Sequence, residues 1–103
     1  GAAYNEHYGA SKGAVNSMVR ALAVEYGRYG VTVNAILPGF ARSEMTEGIF
    51  EDEKMMGAVL PRVPMRRLGE PEDYGGIAAY LMTDVAGYHT GQCFTIDGGY
   101  SIF

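Results

Sequence analysis

The chain has 103 residues, enough for one small domain. It is 48% hydrophobic and 19% charged, without low-complexity tracts or tandem repeats, as in soluble globular proteins. Twelve acidic against eight basic residues give a formal charge of −4, which disfavours a nucleic-acid partner; no apolar run approaches a membrane span and no signal peptide is visible, so a cytoplasmic protein is expected.

Residues from about 5 to 28 carry Val15, Val19, Leu22 and Tyr26 at three- and four-residue steps, the pattern of an amphipathic helix. Its other side is a ladder of small residues, Gly9, Gly13, Ser17 and Ala21, suited to close approach of a second helix or a ligand. Gly27 and Gly30 are expected to end it. Val31 to Leu37 is rich in β-branched residues and reads as a buried strand that Pro38 must stop. Residues 42 to 60 read as a helical flap. Its apolar side is Met45, Ile49, Met55, Met56, Val59 and Leu60, with Glu51-Asp52-Glu53 towards solvent. Pro61 and Pro64 break this segment, and the nearby Arg62, Arg66 and Arg67 are expected to form a solvated loop face. A second helix starts at Pro71, with Glu72 and Asp73 favouring the positive end of its dipole, and runs through Leu81. The last strand is Cys93 to Ile96, before Asp97-Gly98-Gly99. The order is helix, strand, flap, helix, strand, one right-handed parallel crossover with an extra N-terminal helix.

The lone Cys93 reads as a core thiol. His7 and His89 lie far apart without accompanying ligand spacing, so no metal site is expected. The chemistry-bearing motif is Tyr8-Gly9-Ala10-Ser11-Lys12, whose spacing puts a phenol and an ammonium on one helix face. A phenol of pKa about 10 exchanges protons poorly at neutral pH unless a cation stabilises the phenolate. Moving it to near 7 requires roughly 4 kcal/mol. A charge about 4 Å away supplies that at an effective dielectric of 20, but only about 1 kcal/mol in water. Lys12 suffices only in a site walled off from solvent.

Three further segments stand in register with this motif: Val31 to Thr46, running through Asn34-Ala35-Ile36-Leu37-Pro38-Gly39-Phe40; Arg67-Leu68-Gly69-Glu70-Pro71-Glu72-Asp73; and Thr90 to Gly99. Together they resemble the C-terminal half of a short-chain dehydrogenase/reductase of the 3-oxoacyl-carrier-protein reductase and glucose dehydrogenase type, across essentially the whole chain. The resemblance implies an α/β fold, the C-terminal part of a Rossmann-like doubly wound parallel sheet, with residues 1–103 as a single partial domain. It implies NAD or NADP as cofactor and a small-molecule carbonyl or alcohol as substrate. Tyr8 and Lys12 are then catalytic: Tyr8 exchanges the proton, while Lys12 lowers its pKa and hydrogen-bonds the nicotinamide ribose. Pro38 and Gly39 would lie against the nicotinamide ring, and the Ala41 backbone and Ser43 hydroxyl would reach its carboxamide. Ser43 stands where the family more often has threonine.

The family's glycine-rich phosphate cradle has no counterpart in this sequence, nor have its catalytic serine, its Asn-Ala-Gly segment and its helix asparagine. The N-terminal dinucleotide-binding half is therefore expected to be absent, and the isolated chain to be inactive and to bind neither NAD nor NADP. The competing expectation is a non-catalytic, truncated remnant that folds as an oligomerising module. Two strands alone leave faces and edges uncovered, so a homo-oligomer is expected on either reading, a two-fold dimer or a tetramer. The resemblance implies a subunit interface on the helix and strand at 71–83 and 93–96, and the small-residue side of the first helix offers a second surface.

Overall fold

The structure, a computed structural model, describes residues 2–42 and 53–103, with side chains from residue 9 onward. Helix α1, Ala2–Tyr26, is 25 residues long, contains no proline and is rich in alanine, the strongest helix former. A 3₁₀ turn at Gly27–Tyr29 follows, closed by the Gly30 amide donating to the Gly27 carbonyl at 3.0 Å. Strand β1 is Ala35–Pro38, helix α2 is Glu53–Val59, helix α3 is Glu72–Leu81 and strand β2 is Cys93–Ile96. The strands pair in a two-stranded sheet. Their register is parallel: Ala35 donates to the Gln92 carbonyl at 2.9 Å and Gly39 to the Ile96 carbonyl at 3.3 Å, both chains advancing together.

Residues 1–37 and 79–94 form one compact unit, and 38–78 with 95–103 a second. In the first, Val19, Ala23 and Ala86 are buried. Val15 and Leu22 are half-buried, and Gly9, Gly13, Ser17 and Ala21 are exposed. Tyr26, expected on the apolar side of α1, is 41% exposed, and Ala23 takes the inward place, since Gly91 packs against its methyl group. Residues 31–34, expected to be strand, are not. Here backbone and side-chain bonds mix: the Val33 carbonyl accepts from the Gly91 amide at 2.8 Å, but the Val33 N–H donates to Thr90 Oγ1 at 3.0 Å, and the Asn34 side chain donates to the His89 carbonyl while accepting from the Gln92 amide. His89 is a packing residue, edge-on to both Tyr80 and Phe94 at centroid distances of 5.8 and 5.2 Å. Cys93 is half-buried.

In the second unit Val63 and Leu68 are buried, at 2% and 4% exposure. Of the expected flap, Met45, Ile49, Glu51 and Asp52 lie outside the described residues. Within α2, Glu53 is exposed as expected, Met56 and Val59 are half-buried, but Met55 is 43% exposed. After β2, the Asp97 carboxylate accepts from the amides of Gly99 and Ser101 at 3.0 and 2.9 Å, turning the chain into a 3₁₀ segment at Tyr100–Ile102. Tyr100 meets Phe40 edge-on at 5.0 Å.

With so few fully buried apolar residues among those described, each carries a large share of the stability. Leu68→Ala should destabilise by about 2–5 kcal/mol through lost burial and a residual cavity, whereas Val24→Ala, at 83% exposure, should stay within about 0.5 kcal/mol. Urea midpoints of the two variants check the contrast.

Candidate active site

The loop after β1 is held by backbone on both sides. Gly39 presses on the end of β2: a Cβ there would stand 2.6 Å from Asp97 Cβ and 3.0 Å from its Cα, so only glycine permits the approach. Two residues on, Ala41 forms an isolated parallel bridge with Gly69. The Gly69 amide donates to the Phe40 carbonyl at 2.8 Å, and the Arg42 amide donates to the Gly69 carbonyl at 2.9 Å. Arg42 Nε also lies 3.3 Å from Glu70 Oε1. At Gly69 the Tyr74 hydroxyl occupies the place of a Cβ, so a side chain there would displace the Tyr74 ring.

The partner segment is fixed in turn by one carboxylate. Asp73 accepts both arms of the Arg67 guanidinium, at 2.7 and 2.9 Å, and the Glu70 backbone amide at 2.7 Å. The last bond ties down the entry to α3: the Asp73 side chain, on the first turn, returns to the Glu70 amide just before Pro71 and the helix, in the manner of a capping box. Arg67 first, then the Glu70 amide, hold the Asp73 carboxyl well below the usual carboxylate range, and the same pair raises Arg67. Burial, followed by the charges of Asp73 and Asp97, pushes the Tyr74 phenol up. Between these elements is a cleft of about 180 Å³ lined by Phe40, Val63, Met65, Leu68, Tyr74 and Ile96, with Arg67, Asp73 and Asp97 at its polar wall.

Arg66 and Arg67 are exposed, as the expected solvated loop face requires, and Arg62 is half-buried. Arg66, at a left-handed φ of 56°, donates to the Pro61 carbonyl at 2.5 Å; Arg62 lies over the Tyr100 ring at 5.6 Å; Arg67 is forked onto Asp73. Each guanidinium has a partner within the chain, because the turn at 60–66 folds back on itself and on the residues after β2.

The residues picked from sequence fall in two places. Positions 8 and 12 lie one turn apart in the unbroken α1; Lys12 is half-buried, and the Tyr8 side chain is outside what the structure describes. Pro38, Gly39 and Ala41 are brought together in the loop after β1, while Ser43 lies outside the described residues. Sequence reasoning gave Asp73 only a place at the helix dipole and Arg67 only a place on the loop face, and it assigned no role to Gly69 or Asp97. The available signal was the acidic residue three places after Glu70, which is the spacing of an N-terminal cap.

An α/β chain with a parallel sheet and a backbone-held loop at the strand ends is the architecture of Rossmann-type oxidoreductases. A family model described as enoyl-(acyl carrier protein) reductase matches residues 1–101. The Bacillus subtilis (strain 168) protein named probable 2,4-dienoyl-CoA reductase is 46% identical over 95 residues, which are 90% of this chain and 37% of that protein. An Agrobacterium tumefaciens protein solved with bound NADP superposes with a TM-score of 0.82 at 35% identity, over 93% of this chain and 39% of that one. 4-Hydroxyisoleucine dehydrogenase complexed with NADH gives 0.83 at 34% identity, over 91% and 39%. The chain belongs to the short-chain dehydrogenase/reductase family, and spans well under half the length of these relatives. Among the described residues, no helix is long and apolar enough to cross a membrane.

Because the folded-state pKa of Asp73 is depressed, its contribution to stability is complete above the ordinary carboxylate range, about 4, and is lost as pH falls through the lower folded value. The carboxyl carbon resonance of Asp73 should thus stay in its ionised position through the range where ordinary aspartates protonate, and Arg67→Ala should move its titration upward. High salt should weaken the effect, since the pair is half-exposed.

Proposed function

We propose that this chain is the C-terminal, catalytic portion of an NAD(P)-dependent short-chain oxidoreductase that interconverts a carbonyl and an alcohol. The observation that carries this reading is the placement of Tyr8 and Lys12 one turn apart in an unbroken helix, in a chain of this family. In the reductive direction Tyr8 gives its phenolic proton to the substrate carbonyl oxygen; in the oxidative direction its phenolate accepts the alcohol proton. Lys12 stabilises the phenolate and donates a hydrogen bond to the cofactor ribose. Bound NAD(P) supplies or takes up the hydride.

We assign the loop after β1 to the nicotinamide end of such a cofactor: Gly39 is packed against Asp97, and Ala41 is held on one edge by Gly69, so the loop backbone is fixed in place. Pro38, Gly39, Ala41 and Ser43 would hold that end. A pyrophosphate needs several converging backbone amides, and this sequence lacks the glycine-rich turn that provides them, so the reading assigns the phosphates to protein outside this sequence.

The test is a chimaera in which this chain replaces the matching part of 4-hydroxyisoleucine dehydrogenase. Tyr8→Phe should lower NAD-dependent turnover by about 10²-fold or more, the contribution of a general acid. Turnover within about twofold of the parent chimaera would overturn the assignment.

Assembly is part of the same reading. Gly9, Gly13, Ser17 and Ala21 present small exposed residues at four-residue steps, the surface on which a second copy of α1 can seat closely. Sedimentation at micromolar concentration should show a dimer or tetramer and no folded monomer. Ala21→Arg should weaken assembly and thermal stability together. A cooperatively melting monomer would exclude this arrangement.

A further inference from the structure

We propose that Arg67 and Asp73 are positioning residues for the loop of residues 38–42, an inference that rests on reading that loop as the nicotinamide support. A loop that offers backbone to a ligand is only as well placed as the backbone it is bonded to. For residues 40–42 that partner is Gly69, whose amide and carbonyl are both engaged. Gly69 has no side chain with which to anchor itself, so its place is set by its neighbours. Leu68 is buried on one side, and the Glu70 amide is held by Asp73 on the other.

A helix cap alone would need only the Asp73 bond to the Glu70 amide. The carboxylate does more. It reaches back past Gly69 to both arms of Arg67, whose guanidinium also donates to the Leu68 carbonyl at 3.1 Å. Residues 67–70 are thereby closed at both ends onto one group, with Gly69 inside the closure and Tyr74 filling the space where a side chain would stand. The bidentate fork fixes orientation as well as distance, which a lysine at position 67 could not do.

Amide hydrogen exchange on the whole chain separates the two roles. Asp73→Asn keeps an oxygen for the Glu70 amide but removes the charge that Arg67 grips; Arg67→Ala removes the fork and leaves the cap. Both variants should lower protection of the Gly69 and Arg42 amides by about tenfold or more, with the Ala35 amide, bonded to Gln92 in the other unit, unchanged. Unchanged protection at Gly69 and Arg42, or an equal loss at Ala35, would overturn the proposal. In the chimaera, Arg67→Ala should raise the NADH KM more than it lowers kcat; the reverse split would count against a positioning role. Should Tyr8→Phe leave turnover intact, the proposed chemistry falls, while the exchange result still decides whether the clamp exists.

Discussion

The Asp73 carboxylate gathers three donors from two directions, and much of the second unit is arranged around it. A single ion pair at a half-exposed position is worth little, because solvent screens it and two long side chains must be ordered to form it. This one differs in its connections. Its acceptor is a short aspartate already fixed on the first turn of α3, and one of its three donors is backbone, so ordering it costs less side-chain entropy than a Lys–Glu pair would. It couples the start of a helix to a segment with no regular structure, and through Gly69 that segment acts as an edge for the loop after β1.

Backbone is the material of this site on every side the structure describes. The contacts of residues 39–42 run to the Ile96 carbonyl and to both polar groups of Gly69, and the two glycines stand where a methyl group would strike Asp97 or Tyr74. Such an arrangement excludes alternatives by sterics and directional bonds, so it is stiff for its small buried area. The side chains nearby have other duties: Phe40 packs on Tyr100, and Arg42 lies beside Glu70.

Local spacing made part of this legible in the sequence. Strand β2 is where alternation and the following Asp-Gly-Gly place it, and α3 starts beside the proline and acidic pair that favour a helix N-terminus. The failures share a cause. Residues 31–34 have strand composition but lie opposite a loop at 89–92, and there Thr90 and Asn34 side chains take part of the bonding beside the backbone bond from Gly91 to Val33. The bridge from Ala41 to Gly69 and the fork from Arg67 to Asp73 span separations that follow no helix or strand period, so periodicity cannot reveal them. Composition gave the exposure of Arg66 and Arg67 correctly, but it does not say which carbonyl or carboxylate lies within reach once a turn has closed.

The Tyr8–Lys12 spacing was readable because an i, i+4 relation is fixed by the helix itself. What gives it chemical force is not local. The same charge at the same distance acts about fourfold more strongly at an effective dielectric of 20 than in water, so its effect on a phenol depends on what excludes solvent from that end of α1. Among the described side chains of α1, the buried ones are Val19 and Ala23, near its other end, while Lys12 is half-buried and Gly9 and Gly13 are exposed. On the proposed reading the helix supplies the spacing of a proton-transfer pair, and the low dielectric such a pair needs is a matter of what packs around it. A sequence motif of this kind specifies the distance between two groups; whether that distance yields catalysis is decided by the packing around it.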